Sequence, residues 1–376
     1  MGQTYIGKGE LEKLKDIVRE LDAKRIFLVT GKQSYERSGL ERRVADLIND
    51  RAYTRFCDFA ENPQYEDVLI GMQKIQAFSP DLIVGIGGGS PMDMAKLLSV
   101  LSEDVEHALD IIEKKVPVPK RTIKLVLIPT TAGTGSEATH FAVVYVQGVK
   151  YSVASPELLP DYAIVDAELT YTAPAALTAV TAFDALSQAI ESYWSVTSTP
   201  ESREYASESI QLIMQVFDVL VTKPDDRARG AMMHAAHLAG KAINITTTTA
   251  AHALSYGFTS KYGIPHGHAV MLTLPDMFVH NTVSTAISDK LSPDEHRKRM
   301  SELCELLSVA DAYGAAAKLK DMVVRSGLAA HLSDMGIEGS KEVIDALVAG
   351  VNVQRLQNNP TALTEDELRA MIASAF

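Results

Sequence analysis

Cysteine is scarce: Cys57 and Cys304 are the only two in 376 residues, far apart and in no metal-ligand spacing. That excludes a disulfide scaffold, and it fits a reducing compartment, so the expected location is cytoplasmic. No run of about 18 apolar residues occurs, so no membrane span is expected. The opening MGQTYIGKGELEKLKDIVREL mixes charges throughout and lacks the basic-then-apolar order of a signal peptide. An excess of positive charge is also missing: 36 Lys and Arg stand against 48 Asp and Glu, a formal net charge of −12. A general nucleic-acid role is therefore not expected. A small anionic ligand needs a local positive pocket to overcome the global field. There is no repeat period, low-complexity stretch or long linker.

What is present is a 46% hydrophobic chain long enough for two domains. The first part alternates apolar β-branched runs with helical patterns: RIFLVTG (25–31), RAYTRFCDF (51–59), DLIVGIGGGS (81–90), KLVLIPTT (124–131) and YAIVDAELT (162–170). Strands separated by amphipathic helices predict an α/β domain over 1–169 with a doubly wound parallel sheet. The stretch 143–155, with Gln147-Gly148 at its centre, predicts a β-hairpin inserted at the sheet edge. From 170 to 376 the strands stop, and Ala- and Leu-rich helical patterns broken by Pro or Gly predict an all-α domain. A cleft between two such domains is the default place for chemistry.

Two loops carry a nucleotide signal. LIVGIGGGSPMDMAK runs from a buried strand through Gly85, Gly87, Gly88, Gly89 and Ser90 into a helix opened by Pro91. Glycines let a backbone approach a pyrophosphate, and the free amides at a helix start hold it. Alone, the pattern also fits a tight strand-to-helix turn. IPTTAGTGSEAT (128–139) follows a second strand and sets Thr130, Thr131, Thr134 and Ser136 among small residues. Two hydroxyl- and amide-rich loops at strand C-termini favour a dinucleotide.

The second half holds a polar constellation. Asp184 and Gln188 share one helical face at i and i+4, and AHALSYGFTSKYGIPHGH offers His252, His266 and His268. A carboxylate with imidazoles suits a divalent-metal site, and a hydrogen-bonded cleft without metal is the other reading. LAGKAINITTTTAAHALSY places Lys241, Asn244 and Thr246–Thr249 before His252. Four threonines disfavour helix and offer hydroxyls. A lysine among Ala, Gly and Ile needs an anion or an escape to solvent. The single tryptophan, Trp194, reads as helix packing.

GIGGGSPMDMAK, IPTTAGTGSEAT, FDALSQAIESY, AHALSYGFTSKYGIPHGHAV and NNPTALTEDEL, in this order and spacing, resemble the iron-containing (group III) alcohol dehydrogenase family over nearly the whole chain. The resemblance implies a dehydroquinate synthase-like architecture and metal-assisted hydride transfer between NAD(P) and an alcohol or aldehyde. It implies that Gly88, Gly89 and Ser90 hold the pyrophosphate, with Asp93 capping that helix region. Asn62 would sit near the phosphates, Thr130, Thr131 and Thr134 would line the adenosine and nicotinamide sides, and Lys150 would lie near the ribose. NAD-preferring relatives often carry Asp where this chain has Gly31. With Lys32 and Ser34 following and no carboxylate to repel a 2′-phosphate, NADP(H) is favoured over NAD(H).

The family's four metal ligands map onto Asp184, Gln188, His252 and His266, for Fe2+ with Zn2+ or Mn2+ as alternatives. Gln188 stands where relatives place histidine, and Tyr256 stands where many carry a further histidine. The 238–268 region resembles the phosphonoacetaldehyde reductase branch. That implies a small, anionic aldehyde bound by Lys241, Asn244, Thr247, Thr248 and Tyr256, with His268 passing a proton; separately, a homodimer is expected. A dehydroquinate synthase-like lyase or cyclase using NAD transiently, or a non-catalytic nucleotide-binding homologue, are the competing readings.

Overall fold

The strands of the first half form where apolar residues recur, the central ones buried on both faces and the two edge strands partly exposed. In the computed structural model, which describes residues 2–376, these are β1 (Gln3–Gly7), β2 (Arg25–Thr30), β3 (Ala52–Phe56), β4 (Leu82–Gly87), β5 (Lys124–Pro129) and, after a hairpin, β8 (Tyr162–Asp166). Among the described residues they form a six-stranded sheet in the order β1-β8-β5-β4-β2-β3, every pair parallel. Successive side chains point to opposite faces. Ile26 and Leu28 of β2 therefore join Leu82, Val84 and Ile86 in one core. Phe27 and Val29 join Ile83, Leu125 and Leu127 in another. Helices cover both faces, which is the expected doubly wound α/β arrangement.

Two elements differ from expectation. β1 was not foreseen because QTYIG is an edge strand, partly exposed, and lacks an apolar run. Its register is fixed by β8, and the Asp166 carboxylate accepts from the amides of Gly9 and Leu11 at 3.1 and 3.0 Å. The hairpin exists, as β6 (Phe141–Val146) and β7 (Val149–Ala154), with Gln147 and Gly148 at φ 50° and 79°. That double positive φ suits a tight two-residue turn. It forms its own two-stranded sheet instead of extending the edge of the parallel one. Ala142, Val144 and Val153 are buried in the core that holds Val29 and Leu127, and this burial decides its place.

The chain divides into two compact units, Met1–Ala173 and Pro174–Phe376. The division falls beyond residue 169 because the 3-10 turn Ala167–Thr170, capped by Asp166, stays with the sheet. In the second unit the described residues form helices, and the one strand-like feature is an isolated bridge between Ile287 and Thr361. The helix Ala175–Trp194 is buried almost all round from Thr178 onward, which makes it the centre of that unit. Among the described residues no helix is long and apolar enough to cross a membrane.

Candidate active site

In the first unit, β4 ends at Gly87 with φ 154°, and a Cβ there would meet Pro91 Cγ at 2.6 Å. Glycine is what lets the following helix, Gly89–Leu101, fold back so tightly. That helix starts at Gly89, two residues before the expected Pro91. The threonine loop lies against it. Thr131 Oγ1 is 3.4 Å from the Cβ position of Gly88, Thr134 Cγ2 is 3.1 Å from that of Gly89, and the Thr130 amide donates to Gly87 O at 2.9 Å. The Asn62 amide donates to Ser90 Oγ at 3.1 Å. The structure thus brings Asn62, Gly88, Gly89, Ser90, Thr130, Thr131 and Thr134 together at the C-terminal ends of neighbouring parallel strands, where open α/β sheets bind ligands.

Asp93 has another task than capping. No side chain caps this helix among the described residues, and the half-buried Asp93 carboxylate accepts from Ser136 Oγ at 2.7 Å and from the Val143 amide at 3.0 Å. It ties the threonine loop and the hairpin to the helix. Burial pushes its carboxyl up despite Lys96 and these hydrogen bonds. Lys96, not anticipated, is fully buried. Its Nζ donates to Thr139 O at 2.8 Å, Thr139 Oγ1 at 2.9 Å and Phe141 O at 3.0 Å, and burial pulls its pKa down to about 8. A lysine inside MDMAKLLSVL was the available signal. Lys150 lies on β7 opposite Tyr145.

Around Gly31 the surroundings are richer in charge than the sequence indicated. Arg55 Nε donates to Thr30 Oγ1 at 2.8 Å and Nη2 to Gly31 O at 3.0 Å, while Nη1 pairs with Glu36 at 3.0 Å. Lys32 pairs with Asp58 at 2.6 Å. Carboxylates are therefore near, each offset by a cation. The Lys32–Asp58 pair is exposed and holds its partners weakly.

In the second unit, Asp184, His252 and His266 each offer a ligand atom within 4.8 Å of the others. Asp184 comes from the helix Ala175–Trp194, His252 from Ala250–Tyr262, and His266 opens the helix His266–Met271. Gly267 makes this possible. A Cβ there would lie 2.0 Å from Val180 O and 2.8 Å from the Asp184 amide, so only glycine lets the third helix pack onto the first. His252 Nε2 lies 3.5 Å and His266 Nε2 3.9 Å from Asp184 Oδ1. Gln188 is buried beside Asp184, and its side chain hydrogen-bonds that carboxylate.

Glu191, missed in the sequence reading, organises the cluster. Fully buried, it accepts from His252 Nδ1, and its Oε1 accepts from Thr249 Oγ1 at 2.7 Å. With Nδ1 committed, His252 presents Nε2 to the cluster. Burial disfavours the His252 cation, but Glu191 and Asp184 outweigh it and raise the pKa to about 10. Burial likewise works against the Asp184 carboxylate, and His252 and His266 nonetheless hold its pKa below the ordinary value. Asp184 Oδ1 and His252 Nε2 are buried and make no hydrogen bond. Such atoms are costly unless something binds them. A carboxylate oxygen and two imidazoles fit a divalent cation, and the Gln188 carbonyl oxygen, also buried, is a further oxygen donor.

Two expected participants, His268 and Lys241, are held by other groups of the protein. His268 is buried, and its Nε2 meets Ala329 O at 2.7 Å. Being two residues from His266 on one helix, it points away from the cluster. Lys241 Nζ sits 3.7 Å from the centroid of Tyr205, so an aromatic face meets the need assigned to an anion. Asn244 is on that same helix, Asp226–Thr246. The threonines do break the helix, with Thr247 at φ 58°. Their hydroxyls are held by protein: Thr247 Oγ1 accepts from Asn358 at 2.7 Å, and Thr248 Oγ1 from Arg355 at 3.2 Å. Tyr256 does join the cluster, stacked on His266 at 5.7 Å between centroids and 10° between planes.

The family model for iron-containing alcohol dehydrogenase matches residues 2–167, and that for the C-terminal part of the Fe-containing alcohol dehydrogenase family matches residues 178–376. Long-chain-alcohol dehydrogenase 1 of Geobacillus thermodenitrificans is 30% identical over 385 residues, covering 99% of this chain and 95% of that protein. Sulfoacetaldehyde reductase of Bilophila wadsworthia is 27% identical over 98% of this chain and 96% of its own. The crystal structure of sulfoacetaldehyde reductase from Bifidobacterium kashiwanohense in complex with NAD+ has a TM-score of 0.91 at 31% identity, covering 100% of this chain and 96% of that one. The chain belongs to the iron-containing alcohol dehydrogenase family, as its motifs indicated. It is an enzyme of the alcohol dehydrogenase and aldehyde reductase type.

Proposed function

We propose that the protein reduces a small, anionic aldehyde to its primary alcohol with NADP(H) in preference to NAD(H), with phosphonoacetaldehyde as the leading substrate. The observation that carries the reading is the convergence of buried Asp184 Oδ1 and His252 Nε2 with His266. Asp184, His252 and His266 would hold Fe2+, or Zn2+ or Mn2+, and Gln188 would add a neutral oxygen that tilts the site toward harder ions. When bound, the metal supplies Lewis acidity at the carbonyl oxygen and the nicotinamide supplies the hydride. The residues' part is to hold geometry: Glu191 fixes the His252 ring, Ser255 Oγ meets His266 Nδ1 at 3.4 Å, and Tyr256 covers one face of His266.

Asn62, Gly88, Gly89, Ser90, Thr130, Thr131 and Thr134 would bind the dinucleotide, with Lys150 near its ribose. Gly31 supports the NADP(H) preference, since it adds no carboxylate against a 2′-phosphate. The similarity to sulfoacetaldehyde reductases supports a short aldehyde with an acidic group. A cytoplasmic location accords with Cys57 and Cys304 both being free thiols.

The test is net oxidation of NADPH and of NADH by purified, metal-supplemented protein with phosphonoacetaldehyde, sulfoacetaldehyde and propanal. Preferred use of NADPH with an anionic aldehyde is expected. A wild type that favours NADH rejects the cofactor assignment, and one that favours propanal rejects the anionic substrate. Cofactor binding without net turnover of any aldehyde or alcohol points to the lyase or the non-catalytic alternative.

A further inference from the structure

Lys241 is occupied by Tyr205, so an anionic substrate needs another cation, and the structure supplies one. Arg355 stands on the helix Val353–Leu356, remote in sequence from the threonine segment. Its Nη1 donates to Thr248 Oγ1 at 3.2 Å, and its Cζ lies 5.4 Å from the centroid of Tyr256. Tyr256 stacks on His266, one of the three residues of the metal cluster. A continuous set of contacts therefore runs from the cluster through one aromatic ring to a guanidinium. Among the described residues the partners of that guanidinium are a hydroxyl and a ring face, and neither carries negative charge.

We propose that Arg355 and Thr248 form the subsite for the charged end of the substrate, a tetrahedral oxyanion of the phosphonate or sulfonate kind. The proposal rests on the aldehyde-reductase reading and gives its substrate class a structural basis. A guanidinium presents five N–H donors in a planar fork that matches two oxygens of such a group at once. The Thr248 hydroxyl orients that fork and can itself donate to a third oxygen. Thr248 is buried whereas Arg355 is half-buried, so the hydroxyl is a fixed element and the cation remains open to a ligand. In a chain of net charge −12, a fixed local cation is what an anion requires. Tyr256 separates the subsite from the reacting centre, so the charge would be bound at one end and the carbonyl presented at the other.

The experiment compares kcat/KM for phosphonoacetaldehyde, sulfoacetaldehyde and propanal in wild type, Arg355→Met, Arg355→Lys and Thr248→Val, each checked for its melting temperature. Arg355→Met should lower the ratio of anionic to neutral kcat/KM by about 10- to 100-fold, the loss of one charge-assisted pair. Arg355→Lys keeps the charge without the fork and should fall between the two. A ratio unchanged in Arg355→Met, or equal losses for all three aldehydes, overturns the subsite while leaving the reductase standing. If wild type turns over none of them, calorimetric titration with 2-hydroxyethylphosphonate and 2-hydroxyethanesulfonate decides the subsite separately. Binding weakened at least tenfold in Arg355→Met supports it. Binding absent from wild type, or equal in the two, overturns it.

Discussion

At the scale of single residues, the gathering of Asp184, His252 and His266 was legible because it is written in residue types that rarely cluster otherwise. Asp184 and His252 announce a site, but Glu191 announces nothing. It follows Gln188 at i+3 and reads as one more acid on a helix, and only the fold shows that it is fully buried against His252. Glu191→Gln should weaken divalent metal binding by about tenfold or more, the usual effect of losing the carboxylate behind a ligating imidazole. Competition between the protein and a chelator for Mn2+ or Zn2+ measures this, and an unchanged affinity would remove Glu191 from the account. Gln188→His should tighten the later metals of the Irving–Williams series relative to Mn2+. Lys241 is the opposite case, a cation whose aromatic partner, Tyr205, is distant in sequence and so could not be read from it. Lys241→Met should lower stability by about 0.5–1 kcal/mol through the lost cation–π contact and leave the anionic-to-neutral kcat/KM ratio within about twofold. A selective loss with the anionic aldehyde would return Lys241 to the substrate.

At the scale of elements, strands with continuous aliphatic runs were legible, since burial on both faces leaves no room for polar alternation. β1 was not, because an edge strand needs only one partner. The helix opening at Gly89 was displaced toward Pro91 in the sequence reading because proline favours a first turn without fixing its first residue. Packing between elements is the least legible level. Nothing in PHGH reveals that Gly267 rests on the backbone of Val180. Gly267→Ala should therefore cost about 1–3 kcal/mol or more and weaken metal binding, because the helices carrying Asp184 and His266 must part. Thermal melting with and without added metal tests it, and a variant with wild-type melting and affinity would contradict the packing. At the end of β2, Gly31→Asp should shift preference toward NAD(H) by about 1–2 kcal/mol through repulsion of a 2′-phosphate. The new Cβ must also displace Ser34 Oγ, 2.5 Å from its position. Parallel titrations with NADPH and NADH report the shift, and no change would show that Arg55 and Lys32 dominate the recognition.

At the scale of the whole molecule, the alternation of strands and helices and the later helical half prescribed the two-unit plan, and the motif order prescribed the family. What the sequence could not supply is which distant residues share a site, as Arg355 with Thr248 and Tyr256, since that depends on how helices fold back over a hundred residues. The central claim is that catalysis depends on a divalent metal held by Asp184, His252 and His266. Its most direct test is elemental analysis of the purified protein joined to aldehyde-dependent NAD(P)H oxidation before chelation, after it, and after adding Fe2+, Mn2+ or Zn2+. The account predicts that chelation abolishes turnover, that a divalent ion restores it, and that Asp184→Ala and His252→Ala neither bind the ion nor recover. Undiminished turnover in protein shown to be free of metal would contradict it.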